Sequence, residues 1–309
     1  MPTRRTLLLV FAGLAGGTRI AQGEAFFRFS ELAPGIRVHV PRPALVAKAN
    51  QGDIANLGLV IGDEACAVID TGGSPAIGEK FHAAIAAVTG KPVKYVINTH
   101  THPDHLFGNI AFAGKDVTFV GHRNLPRAIA SRQEYYLVSF RRQLGEELMA
   151  GMRFVAPTLL VEDELTLDLG NRRLVLKAWP PAHTDCDLTV YDQTTGTLFT
   201  GDLVFREHIP VLDGTILGWL KVMDGLASMK ATLAVPGHGA PDDTWPAALD
   251  AQRTYFERLA ADLRQDIKDG INLSRAIEAA AANERRNWAL FDEYNGRNAS
   301  QAYKELEWE

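Results

Sequence analysis

The stretch 98-NTHTHPDHLFGN-109 puts His100, His102, Asp104 and His105 within six positions, in a chain with nine histidines among 309 residues. An apolar run at 93–97 reads as a strand that feeds directly into it. Imidazole nitrogens and carboxylate oxygens are the donors zinc takes, at about 2.0–2.2 Å. Alternate residues of a loop point in different directions, so H-x-H-x-D-H can serve two ions. His100 and His102 would face one, Asp104 and His105 the other. One tetrahedral ion could not take all four and stay open to substrate. Further ligand types follow downstream, each after an apolar strand-like run: His183 after LVLKAWPPA, Asp202 after GTLFTG and His238 after ATLAVPG. A lone histidine is ordinarily a core or surface residue. A dense cluster followed by three more ligand types in order is not explained that way.

Composition excludes several classes of protein. The chain is 46% hydrophobic and 22% charged, with a net charge of -5 and no Lys/Arg cluster, so no nucleic-acid partner is expected. The first 25 residues differ from the rest. Arg4 and Arg5 precede an apolar run from Leu7 to Leu14, too short to span a bilayer, and small residues follow. This reads as a cleavable export signal. The order Thr-Arg-Arg-Thr-Leu-Leu resembles the twin-arginine type, which places the mature protein in the periplasm without stable membrane insertion. Two cysteines, Cys66 and Cys186, rule out a disulfide-dense scaffold and leave a single bridge open.

Strand-like runs at 35–40, 56–62, 65–72, 93–100 and 116–121 alternate with helical spacing at 75–90 and 125–150. A second series, at 164–170, 172–180, 187–192, 197–202 and 231–239, includes a helix at 216–229. From Trp245 the pattern is helical, with breaks at Gly270 and near Asn295. Two sheets with helices on their outer faces satisfy this order, an α/β chain with 26–244 as the catalytic domain and 245–309 as a helical segment packed on it.

H-x-H-x-D-H, then His183, Gly201-Asp202 and Gly237-His238-Gly239, together with AVIDTG around Asp70, resembles the metallo-β-lactamase superfamily. The resemblance implies an αβ/βα four-layer sandwich with a C-terminal helical extension and a dinuclear zinc site at one edge, iron or manganese being the other metals such sites take. It assigns His100, His102 and His183 to one ion, and Asp104, His105 and His238 to the other. Asp202 bridges them in the manner of glyoxalase II, and Asp70 supports the ligands without binding metal. The stretches 182–192 and 200–220 and the ending 290–309 are most similar to the zinc metallohydrolases of quinoprotein relay systems, which implies a functional link to a quinoprotein dehydrogenase.

The implied chemistry is hydrolysis of a small ester, lactone, thioester or related carbonyl compound by a hydroxide held between two zinc ions, with Asp104 both ligating and orienting it. No G-x-S-x-G elbow offers a serine nucleophile, and Cys186 is a weaker candidate. A class B-like β-lactamase and a non-catalytic metal-binding partner protein are the rival readings. Arg206, His208 and Trp219, just after the bridging aspartate, are the candidate pocket wall, and 43–55 a candidate flap.

Overall fold

The structure, a computed structural model, describes residues 27–309, so the expected export signal lies outside the described residues. The first sheet runs in chain order through β1 (Ser30–Ala33), β2 (Ile36–His39), β3 (Leu57–Ile61), β4 (Cys66–Ile69), β5 (Val93–Ile97), β6 (Thr118–His122) and β7 (Leu159–Val161). Its first four strands are antiparallel neighbours and its last four parallel ones. Helices supply the parallel crossovers: α1 (Pro75–Val88), capped by the Ser74 side chain, and α3 (Leu125–Leu144). The short α2 (Pro103–Leu106) lies within the histidine cluster itself. The second sheet is ordered β12-β11-β10-β9-β8, from β8 (Glu164–Asp168), β9 (Arg173–Ala178), β10 (Leu188–Asp192), β11 (Thr197–Phe205) and β12 (Leu233–His238). α4 (Ile216–Ala227) connects β11 to the parallel β12.

The two sheets pack face to face through one apolar layer, in which Val38, Val60, Ile69 and Ile97 meet Leu174, Leu176, Val190 and Phe199. Alternation along β3 sends Leu57 and Leu59 the other way, onto Ile77 and Phe81 of α1. The second sheet is covered by α4 and by the C-terminal helices α5 (Asp250–Lys268), α6 (Leu273–Ala279) and α7 (Phe291–Leu306), around Trp219, Tyr255 and Phe256. This is the expected four-layer αβ/βα sandwich with a C-terminal helical region. No helix among the described residues is long and apolar enough to cross a membrane.

Two local expectations are corrected, and two strands and the state of the cysteines are added. β1 and β7 had no clear pattern in the sequence, because each is a short edge strand with only one face against the core. The helix begun at Leu125 stops at Leu144 rather than 150, where Gly145 takes a φ of 84°. No break occurs near Asn295, because its amide has tertiary partners: the Ala280 carbonyl at 2.9 Å and the Tyr255 hydroxyl at 3.0 Å. Cys66 and Cys186 are free, both buried and in separate clusters.

The two sheets are also tied at the end of β9 and β10 away from His183. Arg172, 7% exposed, grips the fully buried Asp192 through Nε and Nη2 at 3.0 and 2.8 Å. Its Nη1 donates to the carbonyls of Pro34 and Ile61 in the first sheet. Removing one partner of such a pair leaves an uncompensated buried charge, at a cost of about 3–5 kcal/mol. Arg172→Ala should lower the unfolding free energy by about that amount in urea titrations. It should leave metal content unchanged, since the pair lies at the far end of the strands from the ligand loops.

Candidate metal centre

The site is assembled where the strands end. After β4 the backbone turns at Asp70, whose φ of 57° is left-handed, while its N–H reaches the Ile97 carbonyl of β5 at 2.9 Å. This turns the Asp70 carboxylate onto the loop that follows β5. Oδ1 accepts the Thr99 backbone N–H at 2.8 Å. Oδ2 accepts the Thr99 hydroxyl at 2.7 Å and His105 Nδ1 at 2.8 Å. The Thr99 proton being given to Asp70, its oxygen is left to accept from His100 Nδ1 at 3.0 Å. One carboxylate therefore fixes the tautomer of two imidazoles, each with Nε2 turned inward.

The other three rings are held by the same device. His183 Nδ1 donates to the Val211 carbonyl at 2.7 Å, and His238 Nδ1 to the Ile54 carbonyl at 2.8 Å. His102 is reversed: its Nε2 donates to Asp213 Oδ2 at 3.1 Å, and Nδ1 faces inward. The inner nitrogens then meet at 3.1 Å (His100 to His102) and 2.9 Å (His183 to His102). Ligands of a tetrahedral zinc at its usual bond length stand about 3.3 Å apart. With their outer nitrogens committed, His102 and His183 turn their inner nitrogens on one another, an arrangement that a cation between them suits.

Asp202 belongs to both groups. Its Oδ2 lies 3.3 Å from His183 Nε2, 3.6 Å from His100 Nε2 and 3.5 Å from His238 Nε2, and its Oδ1 lies 3.1 Å from His105 Nε2. Asp104 Oδ2 stands 3.3 Å from His238 Nε2 and 3.6 Å from His105 Nε2. Two candidate ligand sets result, His100, His102, His183 and Asp202 beside Asp104, His105 and His238. The glycines of the two downstream motifs make room for this. A Cβ on Gly237 would sit 1.9 Å from Asp202 Oδ1, and one on Gly201 (φ 50°) 2.6 Å from Thr99 Cβ.

The donor set fits metal on its own chemistry. His105 Nε2 and Asp202 Oδ1 are buried, and neither has a partner in hydrogen-bonding geometry. Burial holds His100 well below the ordinary histidine value and His183 down to about 3, so both are neutral and ready to ligate. Burial opposes charge on His105 and His238 too, but the carboxylates win there. Asp202, Asp70 and Asp104 lift His105 well above its usual value, and Asp202 and Asp104 lift His238 to about 9. Against burial, His105 and His238 in turn hold Asp104 down to about 2.

Above the ligands lies a cavity of about 290 Å³, bordered by His102, Asp104, Asp202 and His238. Of the three expected wall residues, only His208 lines it, 5.1 Å from the His238 ring and kept at a pKa of about 4 by burial. Arg206 turns away to Asp242 at 2.6 Å and to the carbonyls of Ala240 and Pro241, which braces the loop after β12. Trp219 is fully buried behind His183, 5.2 Å from its ring, with its indole N–H on the Leu203 carbonyl. The segment 43–55 does wall the cavity, through Leu45, Val46 and Ile54. Cys186 is buried against Thr184, and burial pushes its thiol far up, so it offers no nucleophile.

Among the contributors that escaped the sequence reading are Arg132 and Tyr136 on α3, and Tyr294 and Arg297 on α7, all lining the cavity. None belongs to a local motif. The C-terminal helix also reaches the ligands indirectly. Asn298 holds the Leu212 N–H and the Pro210 carbonyl, Gln301 holds the Gly214 carbonyl, and Glu305 caps the start of α4. Residues 210–217 so fixed carry the Val211 carbonyl and the Asp213 carboxylate that orient His183 and His102.

A ligating imidazole must be neutral, so metal uptake has to displace the protons held on His105 and His238. Loading metal at pH 7–8 should release about two protons per chain, read from calorimetry in buffers of different ionisation enthalpy. The sign for stability follows from the raised value at His238. In the metal-free protein its charged form stabilises the fold below the ordinary value of 6.5, and this is lost as the pH climbs through about 9. Thermal melting of chelator-treated protein should fall across that window, while the loaded protein should change little.

Comparison with known proteins agrees with this geometry. The profile of the metallo-β-lactamase superfamily matches residues 51–238, which takes in every candidate ligand. An acyl-coenzyme A thioesterase of Bos taurus is 26% identical over 236 residues, covering 68% of this chain and 79% of its own. A linear primary-alkylsulfatase of Pseudomonas sp. (strain ATCC 19151) is 24% identical over 214 residues; the matched region spans 58% of this chain and only 40% of the alkylsulfatase. Among solved structures, a metallo-β-lactamase from Pontibacter korlensis superposes with a TM-score of 0.61 at 20% identity, over 75% of this chain and 99% of that one. A sec-alkylsulfatase from Pseudomonas sp. gives 0.70 at 15% identity, over 90% and 50%. With its ligand series, its sandwich and this match over more than half its length, the chain belongs to the metallo-β-lactamase superfamily of hydrolases.

Proposed function

We propose that the protein is a hydrolase with two metal ions, zinc in the first instance, acting on an ester, lactone or thioester carbonyl. His100, His102 and His183 would hold one ion, Asp104, His105 and His238 the other, and Asp202 both. Bound there, the metals would supply an activated water and polarise the carbonyl. The chain's own residues do the rest. Asp70, Thr99, Asp213 and the Val211 and Ile54 carbonyls hold the imidazoles in the ligating tautomer. Asp104, beside the cavity, would ligate the second ion and orient the attacking water. Leu45, Val46 and Ile54 shield the reacting centre from bulk solvent.

The observation that carries the dinuclear reading is the reach of Asp202 to ring nitrogens of both ligand sets, at 3.1–3.6 Å. A carbonyl substrate is favoured over a sulfate ester because the thioesterase likeness extends over 79% of that relative and the alkylsulfatase likeness over 40%. The open cavity beside the ligands favours catalysis over a purely metal-holding partner role.

Asp202→Ala should reduce metal content from two ions per chain and lower hydrolysis of a thioester substrate by about 100-fold or more, exceeding the loss typical of disturbing an outer partner. The circular dichroism spectrum should persist. Elemental analysis is the check: two ions retained with near-wild-type turnover would remove the bridging role.

We further propose export by the twin-arginine route and membership of the quinoprotein-relay subgroup, on the strength of Thr3 to Leu8 and the stretches 182–192, 200–220 and 290–309. Replacing Arg4 and Arg5 together by lysine keeps the charge and removes the paired guanidinium groups. Cell fractionation should then find the uncleaved precursor in the cytoplasm. Unchanged periplasmic appearance would assign the chain to the general secretory route.

A further inference from the structure

The cavity has a charged corner with two arginines that are not among the candidate metal ligands. Asp213 Oδ2 accepts from Arg132 Nη1 at 2.5 Å as well as from His102, and Asp213 Oδ1 accepts from Arg297 Nη2 at 3.0 Å. One carboxylate thus faces two guanidinium groups, each with five N–H donors, so it leaves one positive charge uncompensated. Both arginines line the cavity, and their side chains remain 44% and 52% exposed. The acidic residues that share this lining are Asp104 and Asp202, both candidate metal ligands.

A second observation points the same way. Tyr136 lines the cavity beside Arg132 and is 6% exposed; the Arg132 guanidinium is the polar neighbour of its buried hydroxyl, whose own proton has no acceptor. A phenol in that position is expected to meet an acceptor. Two guanidinium groups that share one acceptor, Asp213, beside a hydroxyl that has none make a receptor for a planar oxyanion, which arginine grips through parallel N–H bonds. Apolar side chains of Leu45, Val46 and Phe140 border the same space.

We propose that Arg132, Arg297 and Tyr136 form a carboxylate-binding subsite, and that the substrate is an ester or thioester of a dicarboxylic acid whose free carboxylate lies here. This rests on the hydrolase reading given above. Asp213 stands between His102 and the guanidinium groups, so the bound charge is one side chain removed from the metal ligands. It is therefore carried on the acyl chain a few bonds from the scissile carbonyl, and the apolar border receives the methylenes between.

The test compares glutaryl and valeryl thioesters of one thiol, equal in chain length and differing in the terminal charge. The metal-loaded wild type should prefer the glutaryl compound by about tenfold or more in kcat/KM, the discrimination of a charge-assisted hydrogen bond. Arg297→Gln and Arg132→Gln should bring that ratio toward one, and Arg297→Lys should retain part of it. If the arginines only brace Asp213, both rates fall together and the ratio holds, which overturns the proposal, as does a wild type indifferent to the charge. Calorimetric binding of glutarate against valerate keeps the subsite testable should neither thioester turn over. Each offers one carboxylate to the metals, so about tenfold tighter binding of glutarate that is lost in Arg132→Gln/Arg297→Gln supports the subsite. Equal affinities sink it. Turnover failing while this binding difference stands would count against the hydrolase reading alone.

Discussion

The carboxylate of Asp70 is where the sheet becomes a ligand set. It sits at a left-handed turn after β4 and takes three donors, from the Thr99 backbone, the Thr99 hydroxyl and His105. Through Thr99 it also sets the His100 tautomer. An imidazole ligates only through a nitrogen whose lone pair is free and correctly aimed, so the bond made by its other nitrogen decides whether it can act. Asp70 makes that decision for one ring of each ligand set. The apolar layer between the sheets holds β4 and β5 at the separation this requires.

The second sheet and the C-terminal helices complete the centre from the other side. His183 and His102 are aimed by the Val211 carbonyl and Asp213, and the segment bearing both is pinned to α7 by Asn298, Gln301 and Glu305. The ligands His105 and His238 take their support from Asp70 and the Ile54 carbonyl instead. The helical tail thus joins one half of the centre to the cavity that it also walls. A segment that could have been a mere cover is part of the site, because Asp213 serves at once His102, Arg132 and Arg297.

The candidate ligands were legible because each lies in a short motif at the end of an apolar run, and a strand's carboxyl end delivers the residue after it to a predictable edge. The two-sheet order was legible for the same reason: alternation and glycine punctuation survive in a local window. Short edge strands such as β1 and β7 were not, since one buried face over three or four residues leaves too little pattern. Arg206 and Trp219 were misplaced as cavity wall. Nearness to Asp202 in sequence says nothing about which way a side chain turns in the loop after β11 or on α4, and their partners, Asp242 and the α5 residue Phe256, lie far along the chain.

What the sequence determined by itself was therefore the inventory: which side chains are the candidate metal ligands, in what order, and on what class of scaffold. Tautomer, aim and charge balance were decided only by the tertiary structure. The Asp213 carboxylate joins residues 102, 132 and 297 across three separate elements, and Tyr136 meets the same cavity from a helix whose sequence shows only amphipathic spacing. Hydrogen-bond direction and electrostatic compensation depend on distances of a few ångströms between residues far apart along the chain. Those distances do not exist until the two sheets have packed.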